Sequence, residues 1–197
     1  YLCFFLMIRR TPRSTLFPYT PLFRSYLRID PARYRRIVVM GPSHYVGMRN
    51  RISVPDATHY ATPLGELAAD LAFVARLREL PFVTHEPEAH AREHSDQIQL
   101  PLIQACLATN LPVVTMVCGQ FDGPSLVAAA EALRGLMDEG TLFVASSDFT
   151  HYGASYGYVP FKDDVLKNIE TLDMGIFEMF ARRDLEEIGR ASCRERV

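Results

Sequence analysis

Three short stretches of the chain hold the residue types that do chemistry. In Gly41-Pro42-Ser43-His44 an imidazole sits one residue past a turn that closes an apolar run. Held there, it can serve as a metal ligand or a general base; the alternative is a histidine that ties the loop to a backbone carbonyl. In SSDFTHYG (residues 146–153), Asp148 and His151 lie three residues apart. Within one turn they can face a common pocket, where the carboxylate would fix the imidazole tautomer. The alternative is an Asp148 that caps the next turn and a solvated His151. In EHSDQIQLPLIQ (residues 93–104), His94 stands at the expected start of a helix. A helix N-terminus disfavours imidazolium, so His94 should be neutral and usable as donor or acceptor. Capping is the competing role, with Ser95 the better cap.

Other patterns exclude chemistry. Residues 41–44 lack the glycine spacing and the Lys-Ser/Thr end of a phosphate loop. His85, Glu86 and His90 are off by one from the zincin motif, and Pro87 should prevent the helix that motif needs. No GxSxG nucleophile elbow occurs, which argues against a serine hydrolase. Cys106 and Cys118 show no CxxC spacing and read as small buried apolar residues, so a cytoplasmic protein is expected.

Elements must position these residues. Residues 36–40 (RIVVM), 112–118 (PVVTMVC) and 141–145 (TLFVA) are continuous apolar runs rather than alternating ones. They predict strands buried on both faces. Between them, residues 62–80 predict a helix with Thr62 as cap and Pro63 in its first turn. A second helix is predicted from 93 or 95 to 109, with Pro101 in an early turn or at a bend. Two more are predicted over 123–138 and 163–179. Residues 43–60 read as loop, and 86–91 as polar and irregular. The order strand, helix, helix, strand, helix, strand, helix predicts an α/β fold, a largely parallel central sheet with helices on both faces. Ligands of such sheets sit beyond the carboxyl ends of the strands, where residues 41–44 and 146–151 fall.

The ends read differently from the middle. Residues 1–25 resemble translated sequencing adapter, and residues 187–197 look like the same kind of scar. The leading apolar run, residues 1–8, is too short to cross a bilayer, and its arginines follow it instead of preceding it. Residues 26–186 are then one domain with 14 basic and 21 acidic side chains, a net charge of −7. Such a balance, without a basic stripe, argues against nucleic acid as partner, and no segment suggests a membrane.

From the GPSH segment with the downstream TPLGEL, the EHS segment with QLP, and SSDFTHYG, the chain resembles the Memo family. Its bacterial and archaeal members are often labelled AmmeMemoRadiSam system protein B, and the family is similar to the class III extradiol dioxygenases. The resemblance implies a Memo-like fold and a metal-dependent oxidoreductase site for iron or copper. It makes the residue matching His44 a metal ligand, and places those matching Asp148, His151 and His94 in the same pocket as catalytic groups. Asp148 and His151 would orient or shuttle protons, with His94 assisting. The family also uses a second histidine, upstream in an Ala-Pro-His-Ala-Gly segment, and a cysteine near the C-terminus. Neither segment is present, so the resemblance implies a domain truncated at both ends, inactive, holding metal weakly and leaving an open sheet edge. As ligands and partners it implies a small molecule or peptide and an association with radical SAM and AmmeMemoRadiSam system A proteins. The competing reading is a non-catalytic pocket for a phosphorylated peptide or other anion.

Overall fold

A computed structural model of the chain describes residues 3–7 and 25–182. They fall into two compact units that divide between Ser147 and Asp148. The first is built on three parallel neighbours: β2 (Arg36–Pro42) lies between β7 (Val113–Cys118) and β8 (Thr141–Ser147). These are the three apolar runs expected to be strands. Two short strands extend the β7 side: β3 (Ile52–Ser53), antiparallel to β7, and β6 (Val83–Thr84), parallel to β3. With β1 (Cys3–Met7) on the β8 side, the sheet is therefore mixed and mostly parallel, in the order β1-β8-β2-β7-β3-β6.

Alternate strand residues face opposite ways, so β2 feeds two separate cores. Ile37 and Val39 join Val113, Leu142 and Val144 under Leu100, Leu102, Ile103 and Leu107 of helix α3 (Gln99–Leu107). Val38 joins Ile52, Val114 and Met116 under Phe73, Val74 and Leu77 of α1 (Leu71–Arg78), and under Leu133 of α4 (Gly123–Leu136). Both faces are thus covered, as the unbroken apolar runs require. Each such fully buried aliphatic side chain contributes about 1.5–3 kcal/mol.

Several local expectations are corrected. Residues 62–68 do not form a helix: β4 (His59–Thr62) and β5 (Gly65–Ala68) make a two-stranded hairpin around Pro63 and Leu64. Gly65 has φ +117°, which favours glycine, and Thr62 Oγ accepts the Leu64 N–H inside the turn. The helix starts later because Asp70 is the better cap, accepting the Phe73 N–H at 2.9 Å. Residues 87–91 are not irregular either. Pro87 starts the short helix α2 (Pro87–Ala91), in the first turn, where its missing N–H costs nothing. The segment 43–60, expected to be loop, contains β3. Finally, β1 (Cys3–Met7) pairs in parallel with β8, so the edge expected to be open is occupied there.

α3 begins at Gln99, later than expected, with Pro101 in its first turn, where the helix lacks an internal partner for that N–H anyway. The late start leaves residues 93–98 as a turn leading into α3, and this turn carries His94. In the second unit, residues 148–164 hold a 3-10 turn at Ala154–Tyr156 and lead into α5 (Val165–Arg182). The Thr150 N–H donates to Asp173 on α5 at 3.1 Å, which fixes the loop after Asp148 to that helix. No helix among the described residues is long and apolar enough to cross a membrane.

Candidate metal centre

β2 ends at Pro42, and the chain turns with the Ser43 hydroxyl donating to the Val46 carbonyl at 2.7 Å. This turn delivers His44 beyond the carboxyl end of a central strand. The segment before α3 reaches the same place because Gly41 has no side chain. A Cβ there would lie 2.3 Å from Ser95 Oγ and 3.0 Å from the Ser95 backbone carbon. The Ser95 hydroxyl donates instead to the Pro42 carbonyl at 2.9 Å and locks the two segments together. Ser95 is therefore a staple between segments rather than a helix cap.

Glu93 is the pivot. Its side chain is fully buried, an environment that by itself raises a carboxyl pKa. Four hydrogen bonds outweigh that effect. Oε2 accepts the His44 backbone N–H at 2.8 Å, while Oε1 accepts from His44 Nδ1 at 2.8 Å and from the backbone N–H groups of His94 and Ser95 at 2.9 and 3.0 Å. The result is a carboxyl lowered to about 2, ionised at any physiological pH. An ionised carboxylate can only accept, so His44 Nδ1 carries the proton. In neutral His44 the lone pair is then on Nε2, directed away from Glu93.

His94 lies beside it. The two imidazole rings stack with centroids 4.7 Å apart and planes 29° apart, and His94 Nδ1 is 3.5 Å from Glu93 Oε1. One ligand atom from each of His44, Glu93 and His94 lies within 4.8 Å of the others. Tyr45 stands edge-on to both imidazoles, its ring centroid 6.3 Å from that of His44 and 6.1 Å from that of His94. Two imidazoles, one of them backed by a buried carboxylate, suit iron, copper or zinc. A carboxylate gripping the far nitrogen of a histidine is the usual support of a metal ligand. The residues present thus fit a transition metal.

Similarity to other proteins points the same way. A family model for Memo-like proteins matches residues 22–194. The chain belongs to the Memo family. It is 31% identical over 163 residues to a MEMO1 family protein of Thermococcus onnurineus, covering 76% of this chain and 54% of that one. A MEMO1 family protein of Schizosaccharomyces pombe is 31% identical over 150 residues, 72% of this chain and 48% of that protein. Protein MEMO1 of Danio rerio is 29% identical over 165 residues, 78% and 55% respectively. The Memo-like chain described here thus spans about half the length of the curated relatives it matches.

Of the residues singled out from the sequence, His44 and His94 come together. His94 does so from a turn four residues before the Ile98 cap of α3, not from a helix N-terminus, so its setting comes from Glu93 and the neighbouring rings. Asp148 and His151 belong to the second unit, where His151 Nε2 lies 3.7 Å from Asp148 Oδ2. That is a close approach but too long for a hydrogen bond. His85 and His90 do not form a metal pair. His85 Nδ1 donates to the Val54 carbonyl at 3.2 Å, and His90 Nε2 meets the buried Ser53 hydroxyl at 2.8 Å. Burial, reinforced by nearby His85, lowers His90 to about 4, so it stays neutral.

Sequence reasoning missed Glu93 as a functional residue. It stood next to His94 at the expected start of a helix and drew no role of its own. The available signal was its place directly before a histidine in a segment destined for a strand end.

Asp96 shows the opposite electrostatics three residues on. It is also buried, but Oδ1 has no hydrogen-bond partner. Burial raises its carboxyl, nearby Glu93 adds to the effect, and the bonds it does make offset only part, leaving it at about 6.

Proposed function

We propose that this Memo-like chain is built around a transition-metal centre on His44 and His94, and that the parent activity is a non-haem iron- or copper-dependent oxidoreduction. The observation that carries this reading is the Glu93–His44 bond. A buried, ionised carboxylate that gathers four donors and fixes the Nδ1–H tautomer leaves Nε2 as an oriented electron-pair donor at a strand end.

In this reading His44 Nε2 and an imidazole nitrogen of His94 are the protein donors. Glu93 stays behind them as the group that orients His44, because Oε1 already accepts three N–H groups. A bound iron or copper ion would supply Lewis acidity and one-electron chemistry to a substrate placed over the two rings. Tyr45 walls the same rings. The Ser95–Pro42 bond holds both histidine-bearing segments to the end of β2, so the donors are pre-positioned. The family reading gives Asp148 and His151 the orienting and shuttling of protons.

The test is metal content by elemental analysis after anaerobic reconstitution with ferrous iron and with copper, followed by desalting. The expected result is partial metal occupancy in the chain, weak because only two imidazole donors are present, and none in His44→Ala. Occupancy unchanged in that variant would overturn the assignment. A partial loss in Glu93→Gln, with weaker rather than abolished binding, is the expected signature of an orienting group, since such changes cost about 10–100-fold in affinity.

A further inference from the structure

We propose that Arg92, held against Tyr45, recognises a carboxylate on the molecule that this centre binds. The proposal rests on the reading of His44 and His94 as the centre and names the substrate class that reading leaves open.

Arg92 is exposed and caps the C-terminal end of α2, one residue before Glu93. Its guanidinium lies 5.2 Å from the centroid of the Tyr45 ring. Among the described residues it has no carboxylate partner, whereas Arg35, Arg36, Arg51 and Arg78 each meet one and several other exposed arginines do not. The adjacent carboxylate is Glu93, but it is fully buried and already accepts four N–H groups. The cation beside the centre is therefore not neutralised by its own neighbour.

The contact with Tyr45 gives this cation a location. A guanidinium over an aromatic face is held by the ring quadrupole while its N–H donors at the edge remain available. The same ring stands edge-on to His44 and His94, so one side chain connects the cation to both imidazoles. Tyr45 is 55% exposed, which leaves an aromatic surface for the carbon skeleton of a ligand. A divalent ion held by the two imidazoles in front of one buried carboxylate would carry a net positive charge, and Arg92 would add to it. The field therefore favours an anion. A single guanidinium matches a monoanionic carboxylate through paired N–H bonds. A dianionic phosphate calls for more cations than the ring cluster contains.

Binding of benzoate and of its neutral counterpart benzamide to the full chain tests this, by calorimetry or ligand-observed NMR, first with chelator and then with metal. Benzoate should bind about tenfold or more tightly than benzamide, the range of a charge-assisted pair. Arg92→Gln should erase that preference, and Arg92→Lys should restore only part of it. Benzoate no better than benzamide, or a preference that survives in Arg92→Gln, would overturn the proposal. Phenyl phosphate binding tighter than benzoate would overturn the choice of carboxylate. Because the chelated chain is measured as well, an Arg92-dependent preference without metal uptake would sink the metal centre and spare the recognition site. Metal uptake without the preference would do the reverse. Circular dichroism of the variants, at an exposed position, checks that each is folded.

Discussion

Glu93 with His44, and Asp148 with His151, each set a carboxylate beside an imidazole, and the two pairs differ in burial, distance and bonding. Glu93 is sealed, accepts from the His44 ring at 2.8 Å and gathers three further backbone N–H donors. Asp148 and His151 approach to 3.7 Å, with side chains 33% and 42% exposed. In the first pair the protein has replaced water around the acid, so the carboxylate can dictate which nitrogen of its histidine carries the proton. In the second, water competes for both partners, and a contact of that kind contributes about 0–1 kcal/mol. The first geometry is pre-organised in the chain as it stands.

Removing one carboxylate from each pair should split them most widely. Glu93→Gln places an amide where four donors expect an anion, and the metal-free chain should lose about 3 kcal/mol of stability in urea titrations. Asp148→Asn, at a partly exposed carboxylate, should cost no more than about 1 kcal/mol. Equal losses at the two positions would end the distinction between a sealed and a solvated pair.

Acid should sharpen the same contrast, and the sign follows from the folded-state shifts. Glu93 is lowered to about 2, so its contribution is present above its unfolded value near 4.5 and is lost as pH falls below it. His90 is lowered to about 4, so the unfolded chain binds its proton first and stability falls between about 6.5 and 4. Chemical denaturation from pH 7 to 3 should therefore show two successive losses. The upper one, about 2 kcal/mol, should vanish in His90→Gln, and the lower one should vanish in Glu93→Gln. A profile flat across both windows would contradict the buried setting of these groups.

The smallest effect has the opposite sign. Asp96, raised to about 6, is a carboxyl whose folded state holds its proton more tightly than the unfolded chain, so it costs stability above that pH. Asp96→Asn should gain about 1 kcal/mol at pH 7.5, where the buried charge is removed, and nothing at pH 4. A loss at pH 7.5 would show that its ionised form is satisfied in the fold, against the orphaned Oδ1.

The amino-acid order alone determined the frame. Unbroken runs such as residues 36–40 can be buried only on two faces, so the parallel centre and its helical cover were legible, and with them the strand end carrying His44. The motifs at residues 41–44, 93–95 and 146–153 also made family membership legible. Short-range physics was less decisive where two local solutions compete. Residues 62–68 have the composition of a helix, yet Gly65 and the better cap at Asp70 made them a hairpin, and two-residue strands such as β3 have too little pattern to be read at all. What only the tertiary structure decided was the role of Glu93. A carboxylate becomes an orienting group by losing water and gaining donors from His44, 49 residues away in sequence, and both happen only when Ser95 closes against Gly41 and Pro42. Desolvation and convergence of distant donors leave no trace in local sequence, which is why Asp148 was singled out and Glu93 was passed over.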